Sequence, residues 1–156
     1  LERICHTEKL DRKSLLRRSF MVSADNAHAI HPNHPEYADP ANAPLPGQGV
    51  VLKFNAGQRY TTDGLSAAIF RKVCETADVP VQTYCNRADI PGGSTLGNIS
   101  LAHVSIPTVD IGLPQLAMHS CYETAGVKDA CYLEEAMTAY YRSAVHRNVD
   151  CGYVLK

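Results

Sequence analysis

Asp25 and His119 are the residues of this chain whose types could together do metal chemistry. Asp25 lies in Val22-Ser23-Ala24-Asp25-Asn26-Ala27-His28, directly after an apolar run, and His119 lies in Pro114-Gln115-Leu116-Ala117-Met118-His119-Ser120. A carboxylate is a hard oxygen donor and a neutral imidazole a borderline nitrogen donor, and zinc takes both at about 2.0–2.2 Å. An aspartate at a strand end can equally cap a helix or shape a loop, so residue type alone leaves both readings open. His28, His31 and His34 follow at successive spacings of three. Such a cluster invites a metal reading, but Pro32 and Pro35 exclude a regular helix that would put the three rings on one face.

Other residues carry chemistry of a different kind. Lys53 interrupts the apolar run Val50-Val51-Leu52-Lys53-Phe54. A buried ammonium is costly unless it meets an anion, so Lys53 either snorkels from an edge strand or faces an anionic ligand. Pro91-Gly92-Gly93-Ser94-Thr95-Leu96-Gly97 sets glycines before a helix start, where backbone N–H groups can hold an anion; a tight turn with close helix packing is the alternative. It is not a Walker loop, because no lysine follows the last glycine. Glu134-Glu135 is an adjacent acidic pair that reads as the solvated face of an amphipathic helix.

The elements that must position these residues alternate. Charges scattered between Leu1 and Phe20 predict one or two surface helices, and Phe20 to Ala24 reads as a buried strand running into Asp25. A Pro- and Asn-rich loop follows as far as Gln48, and Val50 to Asn55 is the next strand. Asp63 can cap a helix with Leu65, Ile69, Val73 and Ala77 at helical spacing. Val79 to Cys85 is a strand, Ser94 or Thr95 opens a helix through Val104, and Thr108 to Ile111 is another strand. Asp129 is expected to cap a final helix with Leu133, Met137, Tyr140 and Ala144 on one face. This alternation predicts an α/β fold with a central mixed sheet and helices on both faces.

The two motifs around Asp25 and His119, with Gly49-Val50-Val51-Leu52-Lys53-Phe54-Asn55, Gln58-Arg59-Tyr60 and the run from Arg87 to Gly97, resemble the aspartyl aminopeptidase family. These are cocatalytic zinc enzymes that remove acidic residues from peptide N-termini. The resemblance runs from about Leu15 to Tyr141 and implies a three-layer zinc-aminopeptidase sandwich. Residues 1–156 would be the C-terminal portion of its catalytic domain, without the upstream portion and an inserted dimerisation domain. By resemblance Asp25 and His119 are metal ligands, each to a different one of two zinc ions. The bridging carboxylate, the remaining ligands and the general base would come from a missing N-terminal segment. No catalytic residue is therefore expected in this chain, and the chain alone is expected to be inactive.

The same resemblance assigns His28 to substrate contact and Lys53 to the substrate pocket, where a positive charge suits an acidic first residue of the peptide. It leaves His31 structural and gives His34 no role, since relatives often carry an aromatic residue there; at Gly92 they commonly carry Cys. Members assemble as large homo-oligomers, commonly dodecamers. The alternative is a non-catalytic remnant that serves assembly or binding.

The totals agree with a soluble, single-domain reading. A chain of 156 residues with 45% hydrophobic residues can bury a sizeable core, and a formal charge of −1 offers no field for nucleic acid. No apolar run has the length of a membrane span, and the N-terminus lacks the order of a signal peptide, so the expected compartment is the cytoplasm. The six cysteines, Cys5, Cys74, Cys85, Cys121, Cys131 and Cys151, are scattered without C-x-x-C pairs and are expected to be free thiols.

Overall fold

The computed structural model describes residues 1–148 and 152–156. Helices α1 (Glu2–Thr7) and α2 (Arg12–Arg17) lead into β1 (Met21–Ala24), and the two-residue strand β2 (Ala27–His28) follows. The Pro-rich stretch carries a 3-10 turn at Pro35–Tyr37 and reaches β3 (Val50–Phe54). Then come α3 (Gly64–Thr76), β4 (Val81–Cys85), α4 (Leu96–His103), β5 (Thr108–Gly112), β6 (Pro114–Leu116), β7 (Thr124–Ala125) and α5 (Val127–Arg142). A hairpin of β8 (Val145–Arg147) and β9 (Tyr153–Leu155) completes the order.

The main sheet has strand order β1-β5-β3-β4 and is mixed, as expected. β1 pairs parallel with β5 and β3 parallel with β4, while β3 and β5 run antiparallel. Strand side chains alternate between faces. Val50, Leu52, Val109 and Ile111 point into one core with Phe70 and Cys74 of α3 and Ala136 of α5. Val51 points the other way, into a second cluster with Ala27, Tyr60 and Tyr84. On that opposite side α4 packs on β1 and β5 so closely that a Cβ at Gly97 would fall 2.8 Å from the Ser23 Cβ. Helices therefore cover both faces. A second, small sheet of order β2-β6-β7 extends from the end of the first.

The α3 cap is as predicted: the Asp63 carboxylate accepts from Ser66 N at 2.7 Å, and the Ser66 hydroxyl closes a capping box. Its apolar face differs in part. Ile69 and Val73 are buried, but Leu65 is 44% exposed and the buried stripe runs instead through Ser66, Phe70 and Cys74. Ala77 and Ala144 lie just past the ends of their helices.

Asp129 does not cap α5, whose N-cap is Gly126. The carboxylate is fully buried in the first turn and accepts from Gly47 N at 2.6 Å and Gly49 N at 3.0 Å. Both glycines have φ in the left-handed region, +82° and +107°, which turns their N–H groups towards the acid. A tertiary partner thus took the carboxylate from the local cap. Cys5, Cys74, Cys85, Cys121 and Cys131 are free thiols, as expected, and Cys151 lies outside the described residues. Among the described residues no helix is long and apolar enough to cross a membrane.

Removing the Asp129 carboxylate leaves two loop N–H groups without their acceptor. Asp129→Ala is expected to lower stability in urea unfolding by about 3 kcal/mol, with Asp129→Asn, which keeps one acceptor oxygen, losing less. Equal midpoints for wild type and Asp129→Ala would show that the clamp carries no stability.

Candidate metal and substrate site

Asp25 sits where β1 ends, at the carboxyl edge of the parallel β1–β5 pair. Its N–H continues the ladder, donating to Ile111 O at 3.0 Å, and its exposed carboxylate accepts from Asn26 N at 2.8 Å. The main chain turns so tightly here that a Cβ at Gly112 would lie 1.9 Å from Asp25 O. Beyond that contact the parallel pairing resumes between β2 and β6, matching Ala27 with Pro114 and His28 with Gln115. The Asn26 amide also donates to Gln115 Oε1.

β6 then carries the chain to His119. Ala117 and His119 both have positive φ, +55° and +69°, and form a tight turn in which Ser120 N donates to Ala117 O at 3.0 Å. His119 N donates to Glu123 Oε1 at 2.6 Å, and β7 returns antiparallel to β6. These bonds hold the backbone and leave the His119 imidazole exposed.

Lys53 lies on β3 of the main sheet and His28 on β2 of the small one. Lys53 is not a snorkelling edge residue: β3 is central, and the side chain is only 3% exposed. Its ammonium donates to Asn26 O at 3.0 Å and stands 4.9 Å from the centroid of the Tyr60 ring. Burial lowers the Lys53 pKa, and the nearby carboxylates of Asp25 and Asp110 work against that shift. Among the described residues it makes no ion pair. His28 is also held below the ordinary histidine value, first by burial and then by the positive charges of Lys53 and His119. The same electrostatic field therefore joins Asp25, Lys53, His28 and His119.

The donor set fits zinc in kind and falls short in number. Asp25 offers oxygen and His119 nitrogen, both accessible, whereas zinc centres use three or four protein ligands. Among the described residues no group of three His, Cys, Asp or Glu side chains could hold a metal. The His31 and His34 rings stand 5.3 Å apart, and His34 Nδ1 lies 3.0 Å from Glu36 Oε1. At the Gly92 turn, packing is seen at two of the glycines. Gly97 N donates to Ser23 Oγ at 3.0 Å, and a Cβ at Gly92 would fall 2.6 Å from Asn86 Oδ1. Glu134 and Glu135 are exposed on α5, the expected solvated face.

Asp110, Tyr60 and Tyr84 escaped the sequence reading. Asp110 is completely buried; its Oδ2 accepts from both the N–H and the hydroxyl of Thr61 at 2.6 Å, and among the described residues its Oδ1 has no partner. That bond fixes the segment just after Tyr60, whose ring underlies the Lys53 ammonium and lies 6.2 Å from the Tyr84 ring. An acid inside Thr108-Val109-Asp110-Ile111 is the same signal that singled out Lys53.

A family model described as aminopeptidase I zinc metalloprotease (M18) matches residues 1–141. A probable M18 family aminopeptidase 2 of Clostridium acetobutylicum is 46% identical over 144 residues, covering 90% of this chain and 33% of the relative. In a cryo-electron microscopy structure of an Ape4 and Nbr1 complex, a chain 41% identical superposes with TM-score 0.84 over 90% of this chain and 27% of that one. In the structure of the S. cerevisiae mApe1 dodecamer the fold alone is shared, at 24% identity and TM-score 0.76, over 85% of this chain and 29% of that one. This chain spans about a third of the length of the curated relatives it matches.

The field at His28 can be measured directly. A proton NMR titration is expected to place the His28 midpoint below that of an ordinary histidine, and Lys53→Met, which removes a positive neighbour, is expected to move it upward. It stays depressed even then, because burial is the larger cause. A midpoint unmoved by Lys53→Met would separate the two side chains.

Proposed function

Because the chain belongs to the M18 family of aminopeptidase I zinc metalloproteases, we propose that residues 1–156 form the C-terminal portion of the catalytic domain of a metallo-aminopeptidase. Its substrates are peptides with an N-terminal Asp or Glu. The observation that carries this reading is Lys53, a buried ammonium with one neutral acceptor and no ion pair among the described residues, within electrostatic reach of the Asp25 carboxylate. A buried cation without a counter-ion is stabilised by an arriving carboxylate, and the first side chain of an acidic peptide supplies one.

Asp25 and His119 would each hold one of two zinc ions, with the remaining ligands and the general base contributed from elsewhere in the whole protein. The chemistry zinc supplies when bound is Lewis-acid activation of water and of the peptide carbonyl. Lys53 pairs with the acidic side chain and fixes which residue stands at the reacting position. Tyr60 keeps the ammonium in place by its ring face, and Thr61, held by Asp110, fixes Tyr60. His28, neutral at physiological pH, presents an uncharged imidazole to the peptide and so does not compete with Lys53 for the acid. The whole enzyme is expected to work as a homo-oligomer, a dodecamer by family resemblance, in the cytoplasm.

One observation favours a second reading. The absence of a third donor among the described residues also suits a non-catalytic remnant that takes part only in assembly. Zinc analysis of the whole protein separates the two: two zinc ions per chain, lost in Asp25→Asn and reduced in His119→Ala, support the enzyme, and zinc-free active-site variants indistinguishable from wild type support the remnant.

In the whole enzyme Lys53→Met is expected to cut kcat/KM for a glutamyl peptide about 100-fold while sparing an alanyl peptide. An unchanged ratio between the two substrates would remove Lys53 from specificity. The isolated 156-residue chain, loaded with zinc, is expected to hydrolyse neither, and measurable hydrolysis by it would overturn the division of the site.

A further inference from the structure

Beside His28 lies a cavity of about 320 Å³. Its lining includes Leu116 and Ala117, on the segment that leads to His119, the rings of Tyr84, His28, His31 and His34, and Pro44 of the long loop. The cavity thus touches both segments that carry candidate metal ligands. Among the residues lining it none is Asp, Glu, Lys or Arg.

Lys53 does not line this space. Its ammonium stands over Tyr60, and the Tyr60 ring is the next neighbour of Tyr84, 6.2 Å away, so the cation lies one ring removed from the cavity wall. A charged first residue drawn to Lys53 therefore leaves the cavity free, and an uncharged group must fill it. Its volume is at the lower end of the roughly 300–1,000 Å³ typical of small-ligand sites, which suits a single large side chain. The walls offer ring surface: His28 and Tyr84 lie 6.4 Å apart at an interplanar angle of 50°, an arrangement into which a third ring can pack edge to face.

We propose that this cavity is the subsite for the second residue of the peptide, the one that becomes the new N-terminus, and that it selects aromatic and large aliphatic side chains. The proposal rests on the aminopeptidase reading above and adds a second determinant to it. The peptide is then read twice, by charge at Lys53 and by apolar volume beside His28.

The test uses the whole enzyme and dipeptides Glu-Phe, Glu-Leu, Glu-Ala and Glu-Lys. Wild type is expected to show kcat/KM about tenfold higher for Glu-Phe than for Glu-Ala, with Glu-Lys lowest. Tyr84→Ala, which enlarges the cavity, and Ala43→Phe, which fills it, are each expected to bring the Phe-to-Ala ratio within about twofold, with thermal melts confirming that both variants fold. Ala43→Phe adds volume at a loop position and keeps the test valid if Tyr84→Ala fails to fold. Calorimetric binding of Glu-Phe and Glu-Ala with a reduced, uncleavable peptide bond should give the same order of affinities. A wild-type enzyme indifferent to the second residue, or variants that retain the wild-type ratio, would overturn the subsite while leaving acidic specificity intact. An enzyme that cleaves alanyl but not glutamyl peptides would instead overturn the acidic reading.

Discussion

The candidate site depends on the contact between Gly112 and the backbone of Asp25. Two short parallel ladders, β1 with β5 and β2 with β6, are joined in series at this point, and the chains cross so closely that no side chain fits between them. The second ladder repeats the direction of the first, so β1 runs into Asp25 at the junction and β6 runs on from it towards His119. The acid at position 25 and the imidazole at position 119, 94 residues apart in sequence, thereby follow strands of two joined ladders. Open α/β sheets bind ligands at the carboxyl ends of their strands, where the helix-covered faces give way to loops, and Asp25 stands at such an end.

Behind the edge lies a second constraint, a pair of opposite charges buried on the same face and not in contact. Lys53 and Asp110 each pay a desolvation cost that a direct ion pair would offset, yet each is held apart by other bonds, Lys53 by Asn26 O and Asp110 by Thr61. The geometry leaves Lys53 with unspent attraction for an anion. Asp110 moderates this, since its carboxylate and that of Asp25 favour the charged ammonium against burial. Burial lowers the Lys53 pKa, the two carboxylates oppose that shift, and an arriving anion would oppose it further.

Much of this was legible in the residues. Strands rich in Val, Leu and Ile, the Asp63 cap and the Thr95 helix start announced themselves through period and end signals. β2, β6 and β7, each two or three residues long, are too short for any period to show, although they position His28 and His119. Asp129 carried a correct local cue with the wrong outcome, because two glycine N–H groups from the distant loop compete successfully for its oxygens. Asp110 was overlooked for the opposite reason. Its strand reads as so plainly buried that the charge inside it drew no question, although Lys53 in the same setting did.

The long loop shows how a segment with little regular structure can still form a wall of a binding site. Backbone groups in such a segment need acceptors and donors from elsewhere. Here Ile30 N donates to Pro44 O at 2.9 Å, and the Gln82 amide of β4 bonds both the N–H and the carbonyl of Leu45, at 2.8 and 3.0 Å. Gly47 and Gly49 are tied to Asp129 of α5. These bonds anchor the loop to the sheet on one side and to a helix on the other, close to Pro44 in the cavity wall. The loop side of the cavity is thereby held by bonds within the chain. Asp129 of α5 and Gln82 of β4 thus help to shape the cavity through the loop they hold.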